Sequence, residues 1–195
     1  MKRVWLVLAL CGTARADKPT DFVDVAPLIP DAVLDLRYAT EHNFTKKQLY
    51  PVARCKLRRA VAAKLVKAAK TLRAADRRLV LWDCYRPSSI QAALWKLVPD
   101  ERYVANPKKG SRHSRGAAVD AGLVDKAGHA VVLPTEFDDF TEAAHRDHAL
   151  AGDRGVEARR LEAAMQGAGF AGMPTEWWHF DDADASSYPL ADDPL

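Results

Sequence analysis

Apolar residues recur along the chain in two rhythms, and each predicts a different kind of element. Leu57, Val61, Leu65, Ala68 and Leu72 repeat every three or four positions, which predicts a helix over about residues 57–74 with Arg58, Lys64, Lys67 and Arg73 facing water. A second helix is predicted over residues 156–167, halted by Gly167 and Gly169. A third follows Ser88 or Ser89, either of which can cap a turn that continues through Ile90, Leu94 and Leu97. Strands are predicted where the rhythm shortens. Residues 32–38 alternate, Leu79-Val80-Leu81-Trp82-Asp83 is an apolar run closed by Tyr85-Arg86-Pro87, and residues 117–120 and 131–133 are short apolar segments with a turn at 125–128 between them. The aromatic stretch Glu176-Trp177-Trp178-His179-Phe180, after Pro174, predicts a last strand. Helices and strands mix without a strict βαβ alternation, so the expected fold is α+β, with a mainly antiparallel central sheet flanked by helices.

The first residues fit neither rhythm. MKRVWLVLALCGTARA, residues 1–16, opens with Lys2 and Arg3, runs apolar from Val4 to Leu10 and ends on Ala14-Arg15-Ala16, the small-x-small pattern of a signal-peptidase site. The expectation is an export signal over 1–16 and a single domain over 17–195. The apolar run falls far short of the ~20 residues a spanning helix needs, and no later segment supplies one. Leu8-Ala9-Leu10-Cys11 departs from a lipoprotein box at Leu10, where a small residue belongs, so a periplasmic protein is expected ahead of a lipid-anchored or secreted one. The formal net charge of +3 belongs to the leader. Without Lys2, Arg3 and Arg15, the 29 basic residues fall to 26 and match the 26 acidic ones, which favours neither a nucleic-acid nor an anionic-membrane partner.

Two cysteines lie beyond the leader, Cys55 and Cys84, with a predicted helix and a returning strand between them. In an oxidising compartment they are expected to form a disulfide; two buried thiols, or less often metal ligands, are the alternatives.

The chemistry lies in two short stretches. SRHSRGAAVD, residues 111–120, sets His113 and Asp120 around the small residues Gly116, Ala117 and Ala118, and EWWH adds Glu176 and His179. Mononuclear catalytic zinc takes three protein ligands from His, Asp or Glu and leaves a fourth position open, so His113, Asp120 and His179 form a candidate set for one Zn2+ per chain. Glu176 stands three residues before the last ligand, where a carboxylate can take a proton from water that the metal has acidified. The small residues are expected to let backbone and substrate approach the ion. One feature opposes this reading: a regular strand places residues three apart on opposite faces, so Glu176 and His179 can serve one metal only if the chain bulges there.

These stretches resemble the SxHxxGxAxD and ExxWH-type signatures of the zinc D,D-peptidases, and most of all the D-alanyl-D-alanine dipeptidases. Arg37-Tyr38-Ala39-Thr40, Asn43-Phe44-Thr45, Trp82-Asp83-Cys84-Tyr85-Arg86-Pro87 and Phe137-Asp138 follow the same family in order. The resemblance implies the small zinc-peptidase fold shared with hedgehog-type domains. It also implies His113, Asp120 and His179 as zinc ligands, Glu176 as general base and Arg86 as the oxyanion-stabilising cation. Tyr38, Ser111 and Asp138 are implied as contacts to a small dipeptide, with Asp138 suited to its ammonium group. The implied activity is hydrolysis of D-Ala-D-Ala in the cell envelope. A peptidoglycan D,D-carboxypeptidase or endopeptidase acting on longer peptides, and a zinc-stabilised module that only binds wall peptides, are the alternatives.

Competing motifs are weak. Ser88, Ser89, Ser111 and Ser114 occur in neither GxSxG nor SxxK contexts, and HExxH is absent from the sequence. Glu142, His145, Asp147 and His148 have ligand-like spacing but no small-residue strand beside them, and are expected to form a polar surface segment.

Overall fold

The computed structural model describes residues 18–195; the leader expected over 1–16 lies outside them. Strands β1 (Phe22–Asp24) and β3 (Lys56–Arg58) form a two-stranded antiparallel ribbon. The main sheet contains β2 (Val33–Leu34), β4 (Arg77–Asp83), β5 (Ala118–Asp125), β6 (Phe170–Met173) and β7 (Glu176–Asp182) in the order β2-β4-β5-β7-β6. Only the β2–β4 pairing is parallel. The fold is thus α+β with a mainly antiparallel sheet, as the pattern predicts. No helix of the described residues is long and apolar enough to cross a membrane.

Helix α1 (Arg59–Arg73) buries Val61, Ala62, Leu65, Ala68, Ala69 and Leu72 along one stripe, and packs on α4 (Val156–Ala168) and β4. Leu65 and Leu161 are fully excluded from solvent in this core. Gly169, in the left-handed region at φ +100°, ends α4.

Four local expectations need correction. Arg58 does not face water: it is 8% exposed in β3, its guanidinium donating to the carbonyls of Thr20, Arg115 and Pro189. Residues 32–38 form only the two-residue β2, then a 3-10 turn at Arg37–Ala39 that buries Tyr38. Residues 131–133 are not a strand; next to them a single bridge joins Val124 to Ala130. Neither Ser88 nor Ser89 caps α2 (Ser88–Leu97) with its side chain. The carboxylate of Asp192 accepts from the Ser89 amide instead, and Ser88 Oγ donates to the Ala191 carbonyl, so a tail remote in sequence completes the helix start.

Cys55 and Cys84 are joined by a disulfide with 29 residues of sequence separation. Closing a loop of that length contributes roughly 3–4 kcal/mol in the chain-entropy view. The double substitution Cys55→Ala/Cys84→Ala is therefore expected to lower unfolding free energy by about 3 kcal/mol in urea denaturation, with an unchanged midpoint as the opposing result.

Candidate active site

Strand register builds the site. Asp83 of β4 pairs with Asp120 of β5, and Asp120 pairs with His179 of β7, so three polar side chains form a row across adjacent strands. His113 joins them from a single 3-10 turn, His113–Arg115, closed by Gly116 at φ +67°. The expected reason for the small residues needs revising. Gly116, Ala117 and Ala118 do not line the cavity at the site: the two alanines are fully buried, and a Cβ on Gly116 would overlap the Phe22 ring. Gly116 lets the turn pack closely on Phe22 of β1, which helps fix His113.

Three donor atoms converge. His113 Nε2 lies 3.1 Å from His179 Nδ1 and 3.4 Å from Asp120 Oδ1, and His179 Nδ1 lies 3.0 Å from Asp120 Oδ1. All three residues are buried. Each ring spends its other nitrogen as a donor: His113 Nδ1 donates to the Cys84 carbonyl at 2.6 Å, and His179 Nε2 to Asp181 Oδ1 at 2.9 Å. The two remaining imidazole lone pairs and a carboxylate oxygen therefore point at one another, an arrangement that calls for a cation. Among the described residues this trio is the one His/Cys/Asp/Glu group placed to hold a metal ion. A proton can meet the same need for positive charge: burial alone would depress His179, yet with Nδ1 protonated its hydrogen bonds to Asp120 and Asp181 raise its pKa well above the usual imidazole value. Burial would raise Asp120, but the charge of His113 and bonds to both histidines hold it well below the usual carboxylate range.

Glu176 reaches the same place. Its Oε2 lies 3.9 Å from His179 Nδ1, which a regular strand would forbid. The β6–β7 ladder slips: Gly172 pairs with Phe180, but Met173 pairs with Glu176, leaving Trp177, Trp178 and His179 as a bulge. Glu176 is buried, and burial pushes its pKa up to about 8, aided by the charges of Asp120 and Asp138 and opposed by His179 and Arg86.

Arg86 is pinned by a network that sequence reasoning missed. Asp83 is fully buried; its Oδ2 accepts from Arg86 Nε and Nη2 at 2.9 and 2.7 Å, while its Oδ1 accepts from Tyr50 Oη and the Cys84 amide at 2.7 and 2.9 Å. Gln91 Oε1 takes Arg86 Nη1 at 2.8 Å. The guanidinium is left 3.9 Å from Asp120 Oδ2 and over the Tyr38 ring. A carboxylate ending the apolar run of β4 was the available signal for Asp83, since such a group needs a buried partner.

The cavity here has a volume of about 280 Å³, and its walls include Tyr38, Arg86, Ser111, Asp138, Glu176 and the three donors. Tyr38 Oη donates to the Asp138 carboxylate at 3.2–3.3 Å. Burial raises Asp138 to about 7, reinforced by the charge of Asp120 and opposed by the charge of Arg86 and the Tyr38 hydrogen bond. Ser111 Oγ accepts from the His113 amide at 3.2 Å and steadies the turn.

A family profile described as D-Ala-D-Ala dipeptidase matches residues 18–194. The chain belongs to that family. It is 39% identical over 175 residues to the D-alanyl-D-alanine dipeptidase of Escherichia coli (strain K12), covering 89% of this chain and 91% of that one. It is 33% identical over 168 residues to the namesake of Enterococcus faecalis (strain ATCC 700802 / V583), covering 75% and 83%. A solved vancomycin-resistance D,D-dipeptidase bound to a D-Ala-D-Ala phosphinate analogue aligns with a TM-score of 0.44 at 20% identity, over 86% of this chain and 69% of that one.

Around the donors of this dipeptidase-family chain, Asp181 is a further residue the motifs did not single out. It accepts from His179 and pairs with Arg112 at 2.9 Å, which fixes the ring orientation. Carboxylates placed behind a ligating histidine typically contribute 10–100-fold in metal affinity, so Asp181→Ala is expected to weaken metal binding by about that factor in competition with a chromophoric chelator. Unaltered affinity would remove Asp181 from the site's support.

Proposed function

We propose that the protein is a zinc-dependent dipeptidase that hydrolyses D-Ala-D-Ala. The observation that carries this reading is the triangle of His113, Asp120 and His179 donors, 3.0–3.4 Å on a side, with the Glu176 carboxylate at its edge and a small cavity in front. A tetrahedron with bonds of about 2.0–2.1 Å has edges of roughly 3.3 Å, so the donors fit a tetrahedral zinc and leave its fourth corner for water or substrate.

Bound there, zinc would supply Lewis acidity, polarising the peptide carbonyl and acidifying water. The chain's own residues do the rest. Glu176 takes a proton from the water whose oxygen attacks the carbonyl carbon, and delivers it to the nitrogen as the C–N bond breaks. A cation held by its neighbours opposes the effect of burial on Glu176 and keeps it ionised for the first of these steps. Arg86, held by Asp83 and Gln91, presents a fixed positive charge to the developing oxyanion. Asp138, supported by Tyr38, receives the substrate ammonium, and Ser111 lines the same pocket.

The expected export signal over 1–16 would place this activity in the periplasm, and the Cys55–Cys84 disulfide supports an oxidising compartment. The test is a substrate panel: D-Ala-D-Ala, its L,D and L,L isomers and a D-Ala-D-Ala-terminated pentapeptide. Preferential cleavage of the D,D dipeptide supports the reading. Faster cleavage of the pentapeptide would make the protein a carboxypeptidase, and tight binding without product would make it a binding module.

A further inference from the structure

The bulge in β7 makes the site workable, and something must hold it open. Where a strand bulges away from its neighbour, its backbone groups lose their ladder partners and, if buried, need others. At this bulge the partner is Arg146, at the start of the short helix α3 (Arg146–Ala149), within the segment expected to be merely polar surface. Its Nη2 donates to the carbonyls of Glu176 and His179 at 3.0 and 2.9 Å, and its Nε to the carbonyl of Met173 at 3.0 Å. Its own amide donates to the Pro174 carbonyl at 2.8 Å. Nη1 is paired with Glu162 of α4, and the guanidinium carbon lies 4.8 Å from the centre of the Phe180 ring. The space it fills exists only because residue 172 is glycine: a Cβ there would overlap the guanidinium.

We propose that Arg146 is a positioning residue: it clamps the β7 bulge from behind by bonding both of its end carbonyls, and thereby sets the distance between the Glu176 carboxylate and the His179 ligand atom. The inference rests on the function proposed above for its catalytic consequence, but its geometric core concerns only where His179 and Glu176 stand. Burial draws the Arg146 pKa down to about 10, which leaves it a cation at neutral pH. Only a planar fork with several donors can reach three carbonyls and a carboxylate together, and a lysine ammonium cannot replace it.

The test uses Arg146→Lys, which keeps a cation for Glu162, and Gly172→Ala, which crowds the guanidinium without touching it chemically. Cobalt-substituted wild type, each single variant and the double variant are compared for metal affinity, for their visible absorption spectrum and for dipeptide turnover. Each single variant is expected to remain folded, to bind metal about 10-fold more weakly with an altered cobalt spectrum, and to lose about 100-fold in kcat with a KM change below about 3-fold. The double variant is expected to be no worse than the poorer single, since both break one clamp. Wild-type affinity and spectrum in Arg146→Lys would overturn the proposal, as would strictly multiplying losses in the double variant. The affinity and spectral readouts stand even if the dipeptide proves not to be the substrate, so the two readings fail separately.

Discussion

Replacing Glu176 by glutamine is expected to lower kcat for D-Ala-D-Ala hydrolysis by about 10²–10⁴-fold while leaving metal content unchanged. The substitution removes the proton acceptor and nothing else of comparable weight: glutamine has nearly the same shape, and the three donors are His113, Asp120 and His179. The same variant tests the pH profile. Burial raises Glu176 while nearby positive charge lowers it, and as pH falls through its working pKa the carboxylate protonates and turnover declines. In Glu176→Gln that acid limb is expected to vanish along with most of the rate. A variant that lost its metal as well would show that Glu176 belongs to the ligand set.

Replacing Arg86 is also expected to be costly, for two separable reasons. As a preorganised cation facing the oxyanion it is worth about 10²–10³ in kcat, so Arg86→Lys, which cannot keep both the Asp83 fork and the Gln91 bond, is expected to lose on that scale. Arg86→Ala adds a fold penalty. It strands the fully buried Asp83 carboxylate, and breaking a buried ion pair by removing one partner costs about 3–5 kcal/mol. Urea denaturation of the two variants separates these effects: the lysine variant is expected to stay closer to wild type in stability while sharing the catalytic loss. Wild-type kcat in Arg86→Lys would remove the residue from the chemistry.

How far the sequence was legible follows from how local each determinant is. His113, Asp120, Glu176 and His179 lie in short motifs whose residue types announce metal and acid–base chemistry, and α1 and α4 follow from apolar spacing within one segment. The need for a bulge between Glu176 and His179 is legible there, but what holds it is not, because the Arg146 guanidinium that bonds their carbonyls comes from 30 positions before Glu176. The start of α2 depends on Asp192, more than 100 positions away, so an inventory of local capping residues looked to the wrong side chains. Arg58 defeats the amphipathic reading for a similar reason: three carbonyls from distant loops satisfy it, which leaves no trace in its neighbours. At 116–118 smallness serves packing and not access to the ion: crowding by Phe22 explains Gly116, and both alanines are fully buried.

The most direct test of the account is a zinc titration of chelator-treated protein, with bound metal and D-Ala-D-Ala hydrolysis followed in the same samples. Hydrolysis is expected to be absent at zero metal, to rise linearly and to break at about one zinc per chain, with His113→Ala, Asp120→Ala and His179→Ala each abolishing the high-affinity phase. Undiminished hydrolysis in metal-free protein, or full-affinity binding in all three variants, would contradict it.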